Sequence, residues 1–94
     1  MNISLLNKRL NMAVRALTEM GAKRIILFGS MVESPEKARD VDIAVEGIPL
    51  NRILEADVKI HEVLQAPTDL ISREESPVFF DIVKDYGRVL YEKG

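Results

Sequence analysis

Cysteine is absent from this sequence of 94 residues, and histidine occurs once, at His61. Without cysteine the chain can form neither disulfides nor thiolate metal sites, a composition that fits a reducing compartment, and we expect a cytoplasmic protein. His61 has no second histidine and no cysteine with which to share a metal ion. Its position on a predicted helix therefore indicates surface or boundary packing rather than metal binding.

Long apolar runs and an excess of basic residues are also missing. The first segment, MNISLLNKRLNMAVRAL, is interrupted by asparagine and basic residues between positions 7 and 11, so it predicts neither a signal peptide nor a membrane span. With 13 basic and 15 acidic residues, the formal net charge is -2. This balance argues against direct nucleic-acid binding, although a nucleotide needs only a few well-placed donors.

The length and composition predict a single globular domain over residues 1–94. Hydrophobic residues make up 47% of the chain and charged residues 30%, which is typical of a folded protein with a modest core. We find no internal repeat, low-complexity tract or linker, so the sequence gives no reason to divide the chain.

Apolar periodicity predicts alternating helices and strands. The helices cover 4–20, 50–64 and 76–85, and the strands cover 23–28, 40–46, 67–72 and 88–91. Residues 54–60 also alternate as a strand does, but the length of the segment favours a helix. Residues 30–39 are either a loop or a short helix starting at Ser34-Pro35. The predicted fold is α/β (α+β), a mixed sheet of about four strands with helices packed on one or both faces.

Two acids, Asp40 and Asp42, stand one residue apart at the start of a strand that is otherwise apolar. In a strand both would point to the same face, where a carboxylate is unfavourable unless it is paired or binds a cation. Magnesium takes few protein carboxylates and completes its shell with water and phosphate oxygens. Taken alone, the pair is more often a solvated strand end.

A Gly-Ser step, Gly29-Ser30, follows the preceding apolar strand. Glycine lets the backbone approach an anion closely, and Ser30 adds a hydroxyl donor, with further amides if it begins a helical turn. Alone, this step is ordinary turn chemistry. The nine residues between Ser30 and Asp40 would let the two strands lie side by side, so that a phosphate site faces the acids.

The whole pattern, Phe28-Gly29-Ser30 followed by Asp40-Val41-Asp42-Ile43, resembles the signature of the DNA polymerase β nucleotidyltransferase superfamily. The size is similar to that of its minimal nucleotidyltransferases (MNT). The resemblance implies a third carboxylate on a later strand, which Asp69 fits, and a terminal strand like Gly87–Glu92. It further implies that Asp40, Asp42 and Asp69 hold Mg²⁺, with two ions expected, and that Gly29 and Ser30 bind the triphosphate of ATP.

The implied reaction is transfer of AMP to a hydroxyl, with Asp69 helping to activate the attacking group. MNT proteins are typically one half of a toxin–antitoxin pair whose other half is a helical HEPN protein. The resemblance therefore implies an antitoxin that adds AMP to its partner or blocks it by binding. Exposed apolar positions on the first helix or near Val78, Phe79 and Phe80 are candidates for the contact, although apolar residues at helical spacing are more often part of the core. The sequence leaves homo-oligomer and hetero-oligomer open.

One departure from the family pattern concerns the residues after Gly-Ser. Many minimal members have arginine there, whereas this chain has Met31-Val32-Glu33, which leaves Arg39 and Lys37 as substitutes. Three hypotheses follow: an active transferase, a catalytically weak antitoxin that neutralises its partner by binding, and a plain α/β domain with coincidental acids.

Overall fold

The computed structural model describes residues 3–94. These residues form four α-helices, four strands and one 3₁₀ turn, in the order α1 (Ile3–Glu19), β1 (Arg24–Phe28), α2 (Ser30–Glu33), β2 (Val41–Glu46), the 3₁₀ turn (Leu50–Arg52), α3 (Ile53–Leu64), β3 (Thr68–Ser72), α4 (Pro77–Tyr86) and β4 (Arg88–Glu92). No helix in this part of the chain is both long and apolar enough to cross a membrane.

The strands form one mixed sheet in the order β3-β2-β1-β4. β1 is antiparallel to both β2 and β4, whereas β2 and β3 are parallel. A parallel pair needs a crossover connection, which α3 supplies between β2 and β3. The predicted fold class, a four-stranded mixed sheet with packed helices, is confirmed.

One face of the sheet is covered by α1 and α3, and we call it the closed face. Leu17 of α1 and Ile60 of α3 are fully buried there against Ile25 and Ile43 of the two central strands. The apolar residues of both helices recur at helical spacing, so each helix turns one apolar side to the sheet. The closed face therefore contains most of the hydrophobic core.

The opposite face, which we call the α4 face, is only partly covered. Phe80 and Val83 of α4 pack on Ile26 and Ala44, and Phe28 borders this smaller cluster. β1 contributes side chains to both clusters, which explains why its centre is a continuous apolar run, as predicted for a strand buried on both sides.

The predicted boundaries differ from the observed ones chiefly between residues 30 and 40. The short helix begins at Ser30, not at Ser34, and a turn occupies residues 35–37. Ser34 is not helical, because it precedes Pro35 and the helical conformation is disfavoured for a residue before proline. Asp40 lies just before β2 rather than inside it. The helix interpretation of residues 54–60 is confirmed, and its first turn is 3₁₀.

Candidate functional site

Three strand ends meet at one edge of the α4 face. β1 runs antiparallel to β2, and β2 runs parallel to β3, so the end of β1 lies beside the starts of β2 and β3. Gly29-Ser30 follows β1, Asp42 is the second residue of β2, and Asp69 is the second residue of β3. The topology thus brings together the residues that the sequence singled out.

Asp42 and Asp69 are direct partners in the register of the parallel pair. Partners on adjacent strands lie about 4.8 Å apart at the backbone and point to the same face. That face is the α4 face, because Ala44, two residues after Asp42, packs against Phe80 there. Asp42 is half-buried and Asp69 is exposed. One carboxylate is therefore anchored in the sheet and its neighbour is open to a second molecule.

Burial and the charges of Asp69 and Asp40 all act on the pKa of Asp42. Burial raises the pKa of the Asp42 carboxyl above its ordinary value, and the negative charges of Asp69 and Asp40 raise it further. Asp40, exposed and just before β2, is therefore close enough to act on Asp42. Like charges held together without a counter-ion disfavour ionisation, and a bound cation would relieve that repulsion.

Both the backbone conformation at position 29 and the space around it require glycine. Its φ of 74° is in the left-handed region that favours glycine. A Cβ at this position would collide with the carboxylate of Asp42, whose Cγ would lie 3.2 Å away. The turn after β1 therefore lies directly against the half-buried acid. Ser30 is exposed and begins α2, as the alternative with a helical turn predicted.

The donors at this edge are carboxylate oxygens, which suit a hard cation such as Mg²⁺. Among residues 3–94, no three histidine, cysteine, aspartate or glutamate side chains are grouped closely enough to hold a metal ion by themselves. Mg²⁺ typically uses one or two carboxylates and takes its other ligands from water and phosphate. The acids therefore fit an ion brought with a nucleotide better than a dedicated protein cage.

Lys37 and Arg39 are both exposed in the segment between α2 and β2. Within residues 3–94 neither side chain forms an ion pair. Their charges are thus uncommitted, and their role in phosphate binding stays a prediction.

A cavity of about 280 Å³ adjoins Gly29 on the α4 face, and its position was not predicted. It is lined by Phe28, Gly29, Val32, Glu33, Val83 and Tyr86. Glu33, an exposed residue of α2, is thus one of the residues around this space. The sequence held a partial signal, because Val83 and Tyr86 are three residues apart and are therefore neighbours on the surface of α4.

No protein-family model matches this sequence, and a comparison with functionally characterised proteins gives no match. Solved structures do match. A crystal structure of the toxin–antitoxin MntA–HpeT, in a double aspartate-to-glutamate mutant, contains a chain with 22% identity and a TM-score of 0.72, covering 88% of this chain and 72% of that one.

Two further toxin–antitoxin crystal structures contain similar chains. In a tyrosine-to-alanine mutant of MntA–HpeT the identity is 23% and the TM-score 0.70, over 93% of this chain and 72% of the other. In a toxin–antitoxin with AMP-PNP the values are 19% and 0.70, over 92% and 73%. At such identities the likeness establishes the fold alone, and it confirms the predicted nucleotidyltransferase fold.

Proposed function

We propose that this chain is a Mg²⁺-dependent nucleotidyltransferase that moves AMP from ATP to a hydroxyl of a partner protein. The observation that carries the proposal is the register of Asp42 and Asp69, side by side on the α4 face and next to the turn at Gly29. We further propose that it is the antitoxin of a toxin–antitoxin pair, that the partner is a HEPN-type toxin, and that both act in the cytoplasm.

The similar folds support the antitoxin part of this proposal. All three structures described above are toxin–antitoxin structures, and one of them contains the nucleotide AMP-PNP. The fold is thus found in proteins of this kind. The sequence adds Phe28-Gly29-Ser30 and the two spaced aspartates in the order that the superfamily signature requires.

Each residue has a distinct task in the proposed reaction. Asp40 and Asp42 would hold Mg²⁺, which supplies charge neutralisation and positioning for the phosphates of ATP. Gly29 and Ser30, at the turn after β1 that lies against Asp42, would bind the triphosphate. Exposed Asp69 would complete the site and accept the proton of the incoming hydroxyl as general base.

The transfer itself is an in-line displacement at the α-phosphorus. The acceptor oxygen forms a bond to phosphorus as the bond to the bridging oxygen of pyrophosphate breaks, and pyrophosphate leaves. The hydroxyl proton goes to the carboxylate of Asp69. Catalysis in such a site is mostly positioning and electrostatic stabilisation, so the half-buried, anchored Asp42 matters most.

The direct test uses this protein, a candidate HEPN-type partner protein, ATP and Mg²⁺, with the partner weighed by intact mass spectrometry. We expect a gain of one or more AMP units that is lost with Asp42→Asn. Asp57→Asn, an aspartate of α3 on the other side of the sheet, is the matched control and should keep the gain. A wild-type reaction without mass gain would contradict the transferase proposal.

A second function is favoured by the residues that follow Ser30. Met31 is buried in the core and Glu33 is exposed, so α2 presents a negative charge where a phosphate-binding arginine is usual. This observation supports a catalytically weak antitoxin that neutralises its partner by binding. In the experiment above, a stable complex without AMP transfer would favour this alternative.

A further inference from the structure

The outer side of α4 is unusually apolar for a helix that faces solvent. Val78, Ile82 and Tyr86 recur every four residues and are 74%, 52% and 81% exposed, and Phe79 beside them is 42% exposed. We call these four residues the α4 stripe. The same helix buries Phe80 and Val83 against the sheet. A helix that is apolar on both its inner and outer sides is typically covered by another element.

The α4 stripe is continuous with the candidate site. The ring of Phe79 meets the ring of Phe28 edge to face, with 5.8 Å between centroids and an interplanar angle of 69°. Phe28 is in turn the register partner of Asp42 on β1 and β2. Tyr86 lines the cavity beside Gly29. A protein that covers the stripe would therefore reach the edge where the carboxylates lie.

The border of the α4 stripe is acidic. Asp81 and Asp85 lie four residues apart on α4, and Glu33 lines the same cavity as Tyr86. Asp85 also lines a separate pocket with Arg24 and Lys84, but Arg24 is already paired with Glu46 and Glu92. Asp81 is paired with Lys84 at 3.4 Å, whereas Asp85 and Glu33 form no ion pair among residues 3–94. A second copy of this chain would bring the same acids against this border. A partner with basic residues complements it instead.

We infer that the α4 stripe is the docking surface for the acceptor protein, and that the docked segment is an amphipathic helix with lysine or arginine beside its apolar side. The inference rests on the proposed function, because it names the surface that brings the acceptor hydroxyl to Asp69. A helix fits because apolar residues spaced four apart form a ridge that packs into the groove of another helix.

Another exposed apolar surface does not meet this requirement. Leu54 and Val58 on α3 are also exposed, at 73% and 53%. However, α3 covers the closed face, on the other side of the sheet from Asp42 and Asp69. A protein bound there would not approach the carboxylates, which makes this surface the natural control.

The test compares Ile82→Asp with Val58→Asp, because the two positions are 52% and 53% exposed in the middle of different helices. The HEPN-type protein is the probe, titrated by calorimetry, and AMP transfer is followed by intact mass. We expect Ile82→Asp to raise the Kd at least about tenfold. It should also raise the partner concentration needed for half-maximal transfer while the maximal rate is kept. Val58→Asp should change neither quantity.

A charge variant tests the acidic border separately. Asp85→Lys should weaken binding several-fold and reduce its dependence on salt, because rim charges act mainly through long-range attraction. Glu62→Lys, an exposed acid on α3, makes the same change of charge on the other side and should leave the Kd unaltered. Unfolding melts of all four variants would verify that each is folded.

Several results would overturn the inference. An unchanged Kd with Ile82→Asp, or an equal loss with Val58→Asp, would show that the partner docks elsewhere while the transferase proposal stands. Self-association of this chain that Ile82→Asp abolishes would assign the stripe to a second copy. A complex that forms through the stripe without AMP transfer would support the inference and contradict the transferase alone. A wild-type chain that neither binds nor modifies the partner would contradict both.

Discussion

The two faces of the sheet differ in what their side chains do. On the closed face, Leu17, Ile25, Ile43 and Ile60 are fully buried between the sheet and two helices. On the α4 face, a small apolar cluster around Phe80 shares the surface with carboxylates whose proximity is unfavourable. The difference indicates that stability comes mainly from one side of the sheet, which lets the other side carry charge and remain open.

The largest expected effect separates activity from stability at Asp42. Asp42→Asn should lower AMP transfer on the order of a thousandfold, since charge stabilisation by a held metal contributes several kcal/mol to a transition state. The free energy of unfolding should rise, because the substitution removes a half-buried charge that Asp69 and Asp40 repel. Transfer assays and urea unfolding on the same sample measure both. If the free energy of unfolding fell together with AMP transfer, the division of stability and activity between the two faces would be contradicted.

Leu17→Ala tests whether the closed face contributes stability without contributing to AMP transfer. Removing this fully buried side chain should destabilise the fold by about 3 kcal/mol, while transfer per folded molecule is kept. Leu54→Ala, on α3 and 73% exposed, is the matched control and should change the free energy of unfolding by less than about 0.5 kcal/mol. Urea titrations of the two variants give the comparison, and equal values would contradict the buried position of Leu17.

Gly29→Ala should destabilise the fold by about 2 kcal/mol and lower transfer, because alanine is strained at a φ of 74° and its Cβ meets the Asp42 carboxylate. In an Asp42→Ala background the collision disappears, and only the backbone strain remains. The same glycine substitution should therefore be less destabilising there. A double-mutant cycle by urea unfolding measures this coupling, and strict additivity would argue against the close approach.

The smallest expected effect is on the pH dependence of stability. The pKa of Asp42 is raised in the folded chain, so the folded state binds more protons than the unfolded state between the two pKa values. The contribution of Asp42 to stability is thus greatest at low pH and falls as pH rises from its ordinary value through its raised one. Asp42→Asn should flatten the thermal-melting profile across that interval. An identical slope in both proteins would contradict the shift.

Local patterns predicted most elements of the fold. Apolar spacing identified α1 and β1 within about a residue of their ends, and Ser76-Pro77 marked the start of α4. These signals succeed because they report which side of one element is buried. The short helix at Ser30 was misplaced because Ser34-Pro35 has the composition of a helix start, although the chain turns earlier at Gly29.

The arrangement of the site was predicted only in part. The nine residues between Ser30 and Asp40 predicted that β1 and β2 lie side by side, and this pairing brings Gly29 to Asp42. Asp40 and Asp42 could be paired from their spacing, whereas the alignment of Asp69 with Asp42 depends on the α3 crossover and on strand register. Likewise the sequence grouped Phe80 with Val78 and Phe79 as candidates for a partner contact, with core packing as the alternative. Phe80 is fully buried, whereas Val78 and Phe79 are exposed. Which side of a helix faces the sheet is decided by tertiary packing, so adjacent apolar residues can have opposite positions.

The position of β3 at the edge of the sheet has a consequence for how the site is lost. β3 pairs only with β2, whereas β1 and β2 each have neighbours on both sides. Edge strands open first in local unfolding, because fewer backbone hydrogen bonds hold them. Such an opening would carry Asp69 away while Gly29, Asp40 and Asp42 stay together on the β1–β2 hairpin. The chain would then pass through a state that retains the proposed ion and phosphate ligands but lacks the proposed general base.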